Sequence, residues 1–323
     1  MEEAVELLRA GEVVGLPTET VYGLGADALD AFACARIFEA KQRPLSDPLI
    51  VHVPDAGWVE RLGRSNTLAA QLAEAFWPGP LTMVLPRRDP VPDIVTAGED
   101  TVALRWSANP IFQAVASKFG GPIAAPSANR FGRISPTSAE DVQQELGSSI
   151  ALIVDGGRCS HGIESTIVLV RDKGLEILRH GPVTAEELSA FGRILEADSG
   201  VSAPGRMKSH YAPRTRLVIS PSPTNPEAAP QVVDGDLLGR VGVQVREELK
   251  AKAGFISWSS PGEGYAQVEY LSKTQDLREA AANLYGAMRR LDEAGLALIV
   301  VEEVPMTGLG VAIMERLGKA AAR

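Results

Sequence analysis

Short apolar runs alternate with amphipathic stretches over the first 195 residues. Residues 13–16, 49–53 and 81–85 are apolar runs of strand length, whereas apolar residues at helical spacing follow the capping residue Asp30. By the same criteria further strands are predicted at 101–106, 123–125, 151–155, 166–170 and 175–178, and helices at 2–9, 30–40, 66–76, 110–119 and 139–146. The alternation predicts an α/β domain with helices packed on a twisted mixed sheet.

The regular pattern ends near residue 196. Residues 202–213 show no period, and residues 220–236 are rich in Pro, Ala, Asn and Asp, which favours a surface loop. Beyond them, strands are predicted at 240–245, 254–258 and 296–301, and helices at 277–291 and 311–320. We therefore predict a catalytic domain at 1–195, a linker at 196–214 and a smaller βα domain at 215–323.

Length and charge limit the classes of function. A chain of 323 residues suggests about two domains. The net charge is −9, and residues 1–195 carry 17 Lys and Arg against 25 Asp and Glu, so strong direct binding of nucleic acid is not expected. Two cysteines without CxxC spacing, an acidic N-terminus and the lack of a long apolar run predict a cytoplasmic protein with no membrane association.

Common catalytic motifs are absent from the sequence. It contains no phosphate-binding G-x-x-x-x-G-K-[ST] loop, no G-x-S-x-G elbow and no H-E-x-x-H motif, and its four histidines have no ligand spacing. A protein nucleophile and a protein-held metal are therefore not predicted.

Four cations lie beside hydroxyl-rich or Gly/Pro turns at predicted strand and helix ends: Lys41, Arg43, Arg105 and Arg179. Arg binds carboxylate or phosphate with two parallel hydrogen bonds and Lys acts as a point charge, so the set suits a nucleotide together with an amino acid. Taken singly, each could be a surface charge. Neighbouring small polar residues could serve turn chemistry alone, and Tyr22 could pack in the core or stack on a base.

Three motifs identify a family resemblance. They are L-P-T-E-T-V-Y-G-L-G at 16–25 with K-Q-R-P-L-S-D-P at 41–48, P-S-A-N at 126–129 with S-P-T at 135–137, and G-I-E-S-T-I-V at 162–168. Together they resemble the YrdC family of threonylcarbamoyl-AMP synthases in its long, two-domain form. The resemblance implies a YrdC-like domain followed by a smaller Rossmann-like C-terminal domain.

The resemblance also implies a reaction and its ligands. L-threonine, bicarbonate or CO2, and ATP would give L-threonylcarbamoyladenylate and pyrophosphate, with Mg2+ arriving on ATP. The product would pass to a tRNA threonylcarbamoyl transferase for the modification at tRNA position 37.

Site residues carry over by position in this sequence. The implied threonine site comprises Thr20, His52, Arg105, Ala125 and Ser165. The implied ATP site comprises Lys41, Arg43, Asp47, Thr101, Ser127, Asn129, Ser135, Arg179, His210 and Tyr211. Lys41 and Arg43 are the expected catalytic residues, and the linker residues His210 and Tyr211 are expected to close as a lid.

The chain departs from the family pattern at four places. Asp47 stands where Asn is common, and Phe131 replaces a usual Ser. The stretch 106–109 replaces a Pro- and His-containing segment, and His180 replaces a usual Pro. None of the four removes a predicted cationic ligand.

Two other functions fit parts of the sequence. A non-catalytic RNA-binding module is the alternative from another class, and the acidic N-terminal half opposes it. A carbamoyl-transfer enzyme of the hydrogenase-maturation kind would need zinc-finger cysteines and an acylphosphatase segment, which two cysteines and 323 residues do not supply.

Overall fold

The computed structural model describes residues 1–196, 200–201, 204, 210–220, 231–232, 243–244 and 247–322. The chain forms two compact units: Met1–Phe131 with Ser135–Arg206, and Gly132–Ile134 with Met207–Arg323. None of the described helices is long and apolar enough to cross a membrane.

The first unit is built on a mixed sheet of ten described strands. They are β1 (Val14–Leu16), β2 (Gly23–Asp27), β3 (Ile50–His52), β4 (Leu81–Pro86), β5 (Thr101–Arg105), β6 (Ile123–Ala124), β7 (Leu152–Ile153), β8 (Thr166–Arg171), β9 (Gly174–Arg179) and β10 (Ile194–Leu195). Their order is β10-β9-β8-β4-β5-β3-β6-β2-β1-β7, with parallel and antiparallel pairs interspersed. The predicted twisted mixed sheet is confirmed.

Helices pack beside this sheet. They are α1 (Glu2–Arg9), α2 (Ala31–Lys41), α3 (Val59–Leu62), α4 (Thr67–Phe76), α5 (Asp93–Thr96), α6 (Pro110–Phe119), α7 (Ala139–Leu146) and α8 (Ala185–Ser189), with a 3-10 turn at Ala56–Trp58. Side-chain caps set several starts: Asp30 accepts from the N–H groups of Phe32 and Ala33, and Ser138 forms a capping box with Asp141. Local capping chemistry therefore explains why the helix starts were predictable.

Strand β2 is not among the predicted strands. Its sequence, Gly-Leu-Gly-Ala-Asp, has low β-propensity and no alternation, yet it pairs with both β1 and β6. An added side chain would be crowded there: a Cβ on Gly25 would lie 3.0 Å from Leu16 Cδ1 and one on Gly23 would lie 3.1 Å from Ala125 Cβ, so the neighbouring side chains would have to move. Close packing in the centre of the sheet thus selects glycine in a strand.

The second unit contains a parallel four-stranded sheet with flanking helices. Its elements are β11 (Leu217–Ser220), β12 (Gln231–Val232), β13 (Val243–Gln244), α9 (Glu247–Lys250), β14 (Ala253–Ser257), β15 (Gln267–Tyr270), α10 (Leu277–Glu293), β16 (Leu298–Glu302) and α11 (Leu309–Ala321). The order β11-β16-β14-β15, all parallel, fits the predicted Rossmann-like class. Strands β12 and β13 form a separate parallel pair.

Two predictions for this unit need correction or fall outside the description. The predicted loop at 220–236 is wrong at its described positions, because Ser220 ends β11 and Gln231–Val232 is a strand; residues 221–230 and 233–236 lie outside the described residues. Of the strand predicted at 240–245, only the strand Val243–Gln244 is described.

Candidate active site

Adjacent strands bring the predicted threonine-side residues together. His52 ends β3 and Arg105 ends β5, and the two residues are register partners in the parallel pair. The Ala125 N–H donates to the carbonyl of Ile50 at 2.9 Å, which holds the Ala125 backbone beside β3. Because the strands run parallel, the ends of β3 and β5 meet at one edge, as the strand pattern predicts for a ligand site.

Arg105 is buried and held along one side of its guanidinium. Its Nε donates to the Gly79 carbonyl at 3.3 Å and its Nη2 donates to Thr20 Oγ1 at 2.9 Å. Nη2 also lies 2.8 Å from Glu19 Oε1 in an ion pair whose side chains are both at least nine-tenths buried. The Nε/Nη2 edge is therefore taken by the protein.

The remaining nitrogen of Arg105 is available to a ligand. Nη1 makes no hydrogen bond within the described part of the chain, and it is not among the side-chain atoms that are both fully buried and unpartnered, so it borders open space. A carboxylate bound here would meet Nη1 rather than the Nε/Nη2 edge.

Two threonine hydroxyls extend the contacts of Arg105. Thr18 Oγ1 donates to the Val21 carbonyl at 2.6 Å and lies 2.9 Å from Thr20 Oγ1. Since a hydroxyl has one hydrogen, Thr20 must be the donor to Thr18 while accepting from Arg105. The hydroxyl of Thr20 can thus offer a substrate only an acceptor lone pair.

Glu19 was missed by the sequence reasoning. Burial alone would raise its pKa, but the Arg105 guanidinium and the Ser107 hydroxyl outweigh burial and hold the pKa at about 2. Ser107 Oγ donates to Glu19 Oε2 and accepts from the Asn109 N–H at 3.2 Å. The available signal was an acid placed between two threonines inside an otherwise apolar, buried stretch.

His52 is buried and neutral. Burial, reinforced by Arg105, lowers its pKa to about 3. Its ring packs against Phe112 with centroids 4.9 Å apart, and neither ring nitrogen has a hydrogen-bond partner within the described residues. A polar ligand group is what such nitrogens require, since an unsatisfied buried polar atom costs about 1–3 kcal/mol.

Ser165 connects the two predicted sites. Its hydroxyl lies 2.8 Å from Thr82 Oγ1, and Arg179 donates to its carbonyl and its Oγ, each at 3.0 Å. Arg179 also donates to the Pro204 carbonyl at 3.2 Å. Thr82 had no sequence signal beyond its place in a strand, because its role depends on the β4–β8 pairing.

Lys41 is completely enclosed at the end of α2. Its Nζ donates to the carbonyls of Ser127 and Asn129, both at 2.5 Å. Burial, with a smaller effect of the Arg43 charge, lowers the pKa of Lys41 well below its usual range.

Arg43 and Asp47 form a buried pair beside Lys41. Arg43 Nη2 lies 3.0 Å from Asp47 Oδ2 and donates to the Pro48 carbonyl at 2.7 Å, while its Nε donates to the Asp47 carbonyl at 3.0 Å. Burial raises the pKa of Asp47 although Arg43, Lys41 and Arg179 all oppose the rise. These mutual effects place the four charges in one cluster.

The other predicted ATP-side residues differ in their surroundings. Ser135 is buried and its hydroxyl has no partner within the described chain, whereas Asn129 donates from Nδ2 to the Arg130 carbonyl at 2.8 Å. Thr101 begins β5, at the opposite end from Arg105. Its side chain makes no hydrogen bond to either cluster within the described residues. Tyr22 packs in the core, and its hydroxyl donates to the Gly157 carbonyl at 2.8 Å.

The predicted lid residues belong to the second unit. Tyr211 has φ of 61°, stacks on Tyr285 with centroids 5.9 Å apart and lies under the Arg316 guanidinium. His210 Nδ1 accepts from the Tyr211 N–H at 3.0 Å. Both side chains are buried.

The donor set does not form a metal cage. Within the described residues no three His, Cys, Asp or Glu side chains are grouped so that they could hold an ion. Asp47, the carboxylate of the Lys41 cluster, is paired with Arg43.

Comparisons with known proteins agree with this geometry. The family model described as "Telomere recombination" matches residues 6–181, and the model of the threonylcarbamoyl-AMP synthase C-terminal domain matches residues 183–322. The threonylcarbamoyl-AMP synthase of Bacillus subtilis is 42% identical over 99% of this chain and 92% of its own, and that of Pyrococcus abyssi is 40% identical over 98% and 92%.

A solved structure extends the likeness to the fold. The crystal structure of Pyrococcus abyssi Sua5 complexed with L-threonine matches with a TM-score of 0.85 and 37% identity, and the match covers 99% of this chain and 93% of that chain. These relatives support the synthase prediction and do not support the RNA-binding alternative. With both of its units matched, the chain belongs to the YrdC-type threonylcarbamoyl-AMP synthase family, in its two-domain form.

Proposed function

We propose that this chain makes L-threonylcarbamoyladenylate and pyrophosphate from L-threonine, bicarbonate or CO2, and ATP. The observation that carries the proposal is the pair of buried charge clusters in the first unit, around Arg105 and around Lys41. The segment from Gly79 to Thr82 contacts residues of both clusters. The Gly79 carbonyl accepts from Arg105, and Thr82 Oγ1 contacts the hydroxyl of Ser165, which accepts from Arg179.

The Arg105 cluster suits the amino acid. Arg105 Nη1 meets the threonine carboxylate, and Thr20 Oγ1 accepts from the amine or the hydroxyl of threonine. His52 and Ser165 supply further polar contacts, and the Ala125 backbone forms part of the wall. Because Glu19 already balances Arg105, a zwitterion of zero net charge enters without leaving a charge unpaired.

The Lys41 cluster suits the triphosphate. Lys41, Arg43 and Arg179 outnumber the carboxylates of Asp47 and Glu145, and the buried hydroxyl of Ser135 has no partner within the described residues. We assign Thr101, Ser127 and Asn129 to the same nucleotide site. Lys41 and Arg43 act on the reacting phosphate by neutralising the charge that develops there.

The chemistry needs no side-chain nucleophile. The threonine amine takes up CO2 and releases a proton to give a carbamate, and a carbamate oxygen then forms a bond to the α-phosphorus of ATP while the bond to pyrophosphate breaks. The side chains of the site hold the two reactants in line, and well-held partners lower a barrier by about 7–11 kcal/mol.

Three further parts of the proposal rest on chemistry outside the clusters. Mg2+ arrives with ATP and neutralises part of its phosphate charge. The labile product passes to a tRNA threonylcarbamoyl transferase for modification at position 37. A cytoplasmic location is proposed from the free cysteines Cys34 and Cys159, which a reducing compartment suits.

Pyrophosphate release by the purified chain tests the reaction. ATP, Mg2+ and bicarbonate are supplied, and L-threonine is compared with L-serine and with no amino acid. Release that requires both L-threonine and bicarbonate is expected. Release that ignores threonine, or no release, contradicts the proposal.

A further inference from the structure

Arg105 reaches the threonine site in one orientation because three protein groups hold its other side. The Gly79 carbonyl takes Nε, Thr20 Oγ1 takes Nη2, and the Glu19 carboxylate lies 2.8 Å from Nη2. Of these three, Glu19 is the charged partner. The ion pair therefore adds the attraction of opposite charges to two hydrogen bonds on this side of the guanidinium.

Glu19 is itself held by the segment that follows Arg105. Ser107 Oγ donates to Glu19 Oε2, and the Asn109 N–H donates to Ser107 Oγ at 3.2 Å. Asn109 in turn caps α6 by accepting from the N–H groups of Ile111 and Phe112. The carboxylate is thus connected to a helix start, which makes it a fixed rather than an adjustable counter-charge.

The backbone of Glu19 is anchored separately. Ser160 Oγ donates to the Glu19 carbonyl at 3.2 Å, and the His161 N–H donates to the same oxygen at 2.9 Å. Two serines therefore contact one residue at different atoms: Ser107 at the carboxylate and Ser160 at the main chain. This difference allows the charge-positioning contact to be tested apart from a general anchoring contact.

We propose that Glu19 and Ser107 are positioning residues that set the affinity for L-threonine by orienting Arg105. The inference deepens the proposed function and rests on it. Ser107 supplies its hydroxyl from a position two residues after Arg105. Neither side chain takes part in the bond-making steps.

Calorimetric titration of the full chain with L-threonine, without ATP, is the first measurement. Glu19→Gln keeps the shape and removes the charge, and we expect the dissociation constant for L-threonine to rise about tenfold, equivalent to about 1.4 kcal/mol. Ser107→Ala should raise it about threefold. The matched control Ser160→Ala should stay within about twofold of the unchanged chain.

A double-mutant cycle separates an action through Arg105 from a direct one. In an Arg105→Ala background, adding Glu19→Gln should change threonine affinity by less than about twofold. The Michaelis constant for ATP should be unchanged in Glu19→Gln and Ser107→Ala, which a general loss of structure would not allow.

Several outcomes overturn the positioning role. They are unchanged threonine affinity in both Glu19→Gln and Ser107→Ala, an undiminished effect of Glu19→Gln when Arg105 is absent, or an equal loss of ATP affinity. If Glu19→Gln does not fold, as judged by its melting transition, Ser107→Ala against Ser160→Ala decides alone.

Failure of the reaction is distinguishable from failure of this inference. Threonine binding that follows the expected pattern without any pyrophosphate release contradicts the proposed reaction and supports the positioning role. An unchanged chain that binds no L-threonine overturns both.

Discussion

The two buried charge clusters of the first unit compensate the cost of burying charge to different extents. Around Arg105 there is one cation and one carboxylate, and the pKa of Glu19 is lowered to about 2. Around Lys41 there are three cations, opposed by the charges of Asp47 and Glu145; the pKa of Lys41 is lowered and that of Asp47 is raised. One cluster stabilises its charges without a ligand, whereas burial in the other disfavours charge.

The difference follows from pairing. Glu19 meets a guanidinium and a hydroxyl at close range, so the ionic form gains more than burial removes. Lys41 donates to two carbonyl oxygens, and the largest effect of a neighbouring charge on its pKa comes from another cation, Arg43. A ligand with zero net charge suits the first cluster, and a multiply charged anion such as triphosphate suits the second.

Removal of the Lys41 side chain should have the largest effect. Lys41→Ala is expected to lower kcat by about 100- to 1,000-fold, since it deletes a charge aimed at the reacting phosphate. The Michaelis constant for threonine should change little. Steady-state pyrophosphate release measures kcat and the Michaelis constant for threonine, with the exposed Lys118→Ala as control. A rise in the threonine constant as large as the fall in kcat would contradict the assignment of the two clusters to different reactants.

Arg105→Ala should act on the other reactant. It is expected to raise the Michaelis constant for threonine by about 30- to 100-fold, because a charged hydrogen bond contributes about 2–3 kcal/mol. The constant for ATP should stay close to that of the unchanged chain. Arg36→Ala, which removes an exposed arginine paired with Glu12, is the control; an unchanged threonine constant would remove Arg105 from the carboxylate site.

The buried ion pair between Arg105 and Glu19 predicts that the free energy of unfolding falls in acid. The pKa of Glu19 falls from 4.5 unfolded to about 2 folded, so its stabilisation is complete above pH 4.5 and is lost as the pH falls from 4.5 toward 2. The free energy of unfolding of the unchanged chain, minus that of Glu19→Gln, should shrink over this window. Denaturant titrations between pH 2 and pH 7 measure it, and a difference independent of pH would mean that Glu19 is not held ionised.

Asp47→Asn sharpens the contrast by removing a carboxylate paired with Arg43. We expect the Michaelis constant for ATP to fall about three- to tenfold, because a negative charge no longer opposes the triphosphate. The threonine constant should not move. Weaker ATP binding at low Mg2+ would instead mean that Asp47 contributes favourably, through the ion that ATP carries.

The smallest expected effect is a fraction of a proton. Because the pKa of Lys41 is lowered in the free chain, a triphosphate beside it should raise that pKa, and ATP binding should take up protons at a pH between the two values. ATP affinity should then fall as the pH rises through this interval. Calorimetry in buffers of different ionisation enthalpy counts the protons, and uptake that persists in Lys41→Gln would assign it to another group.

Sequence reasoning predicted many residues of the two clusters but not the contacts among them. Lys41, Arg43 and Arg105 were found because cations beside turns at strand and helix ends are visible along the chain. Glu19 was overlooked, since its meaning comes from Arg105, which is distant in sequence but 2.8 Å away in space. Thr82 was overlooked for the same reason, because its contact with Ser165 exists only when β4 pairs with β8.

Strand β2 marks the same limit for the fold. Apolar periodicity and caps located the longer helices but not short ones such as Val59–Leu62 and Ala185–Ser189, since those signals act over a few neighbouring residues. A glycine-rich strand carries no such signal. Its glycines are favoured because Leu16 and Ala125 lie close to them, and this closeness exists only in the folded chain.

By itself the sequence determined the fold class, the family and the chemical types of the side chains proposed to bind ligands, because local patterning and motif residues are properties of adjacent positions. Only the tertiary structure decided which carboxylate meets which cation, that Arg105 presents Nη1, and that the two clusters differ in their charge balance. Those properties depend on distance and burial, which chain order does not specify, and distance and burial set the strength of every charge interaction in the site.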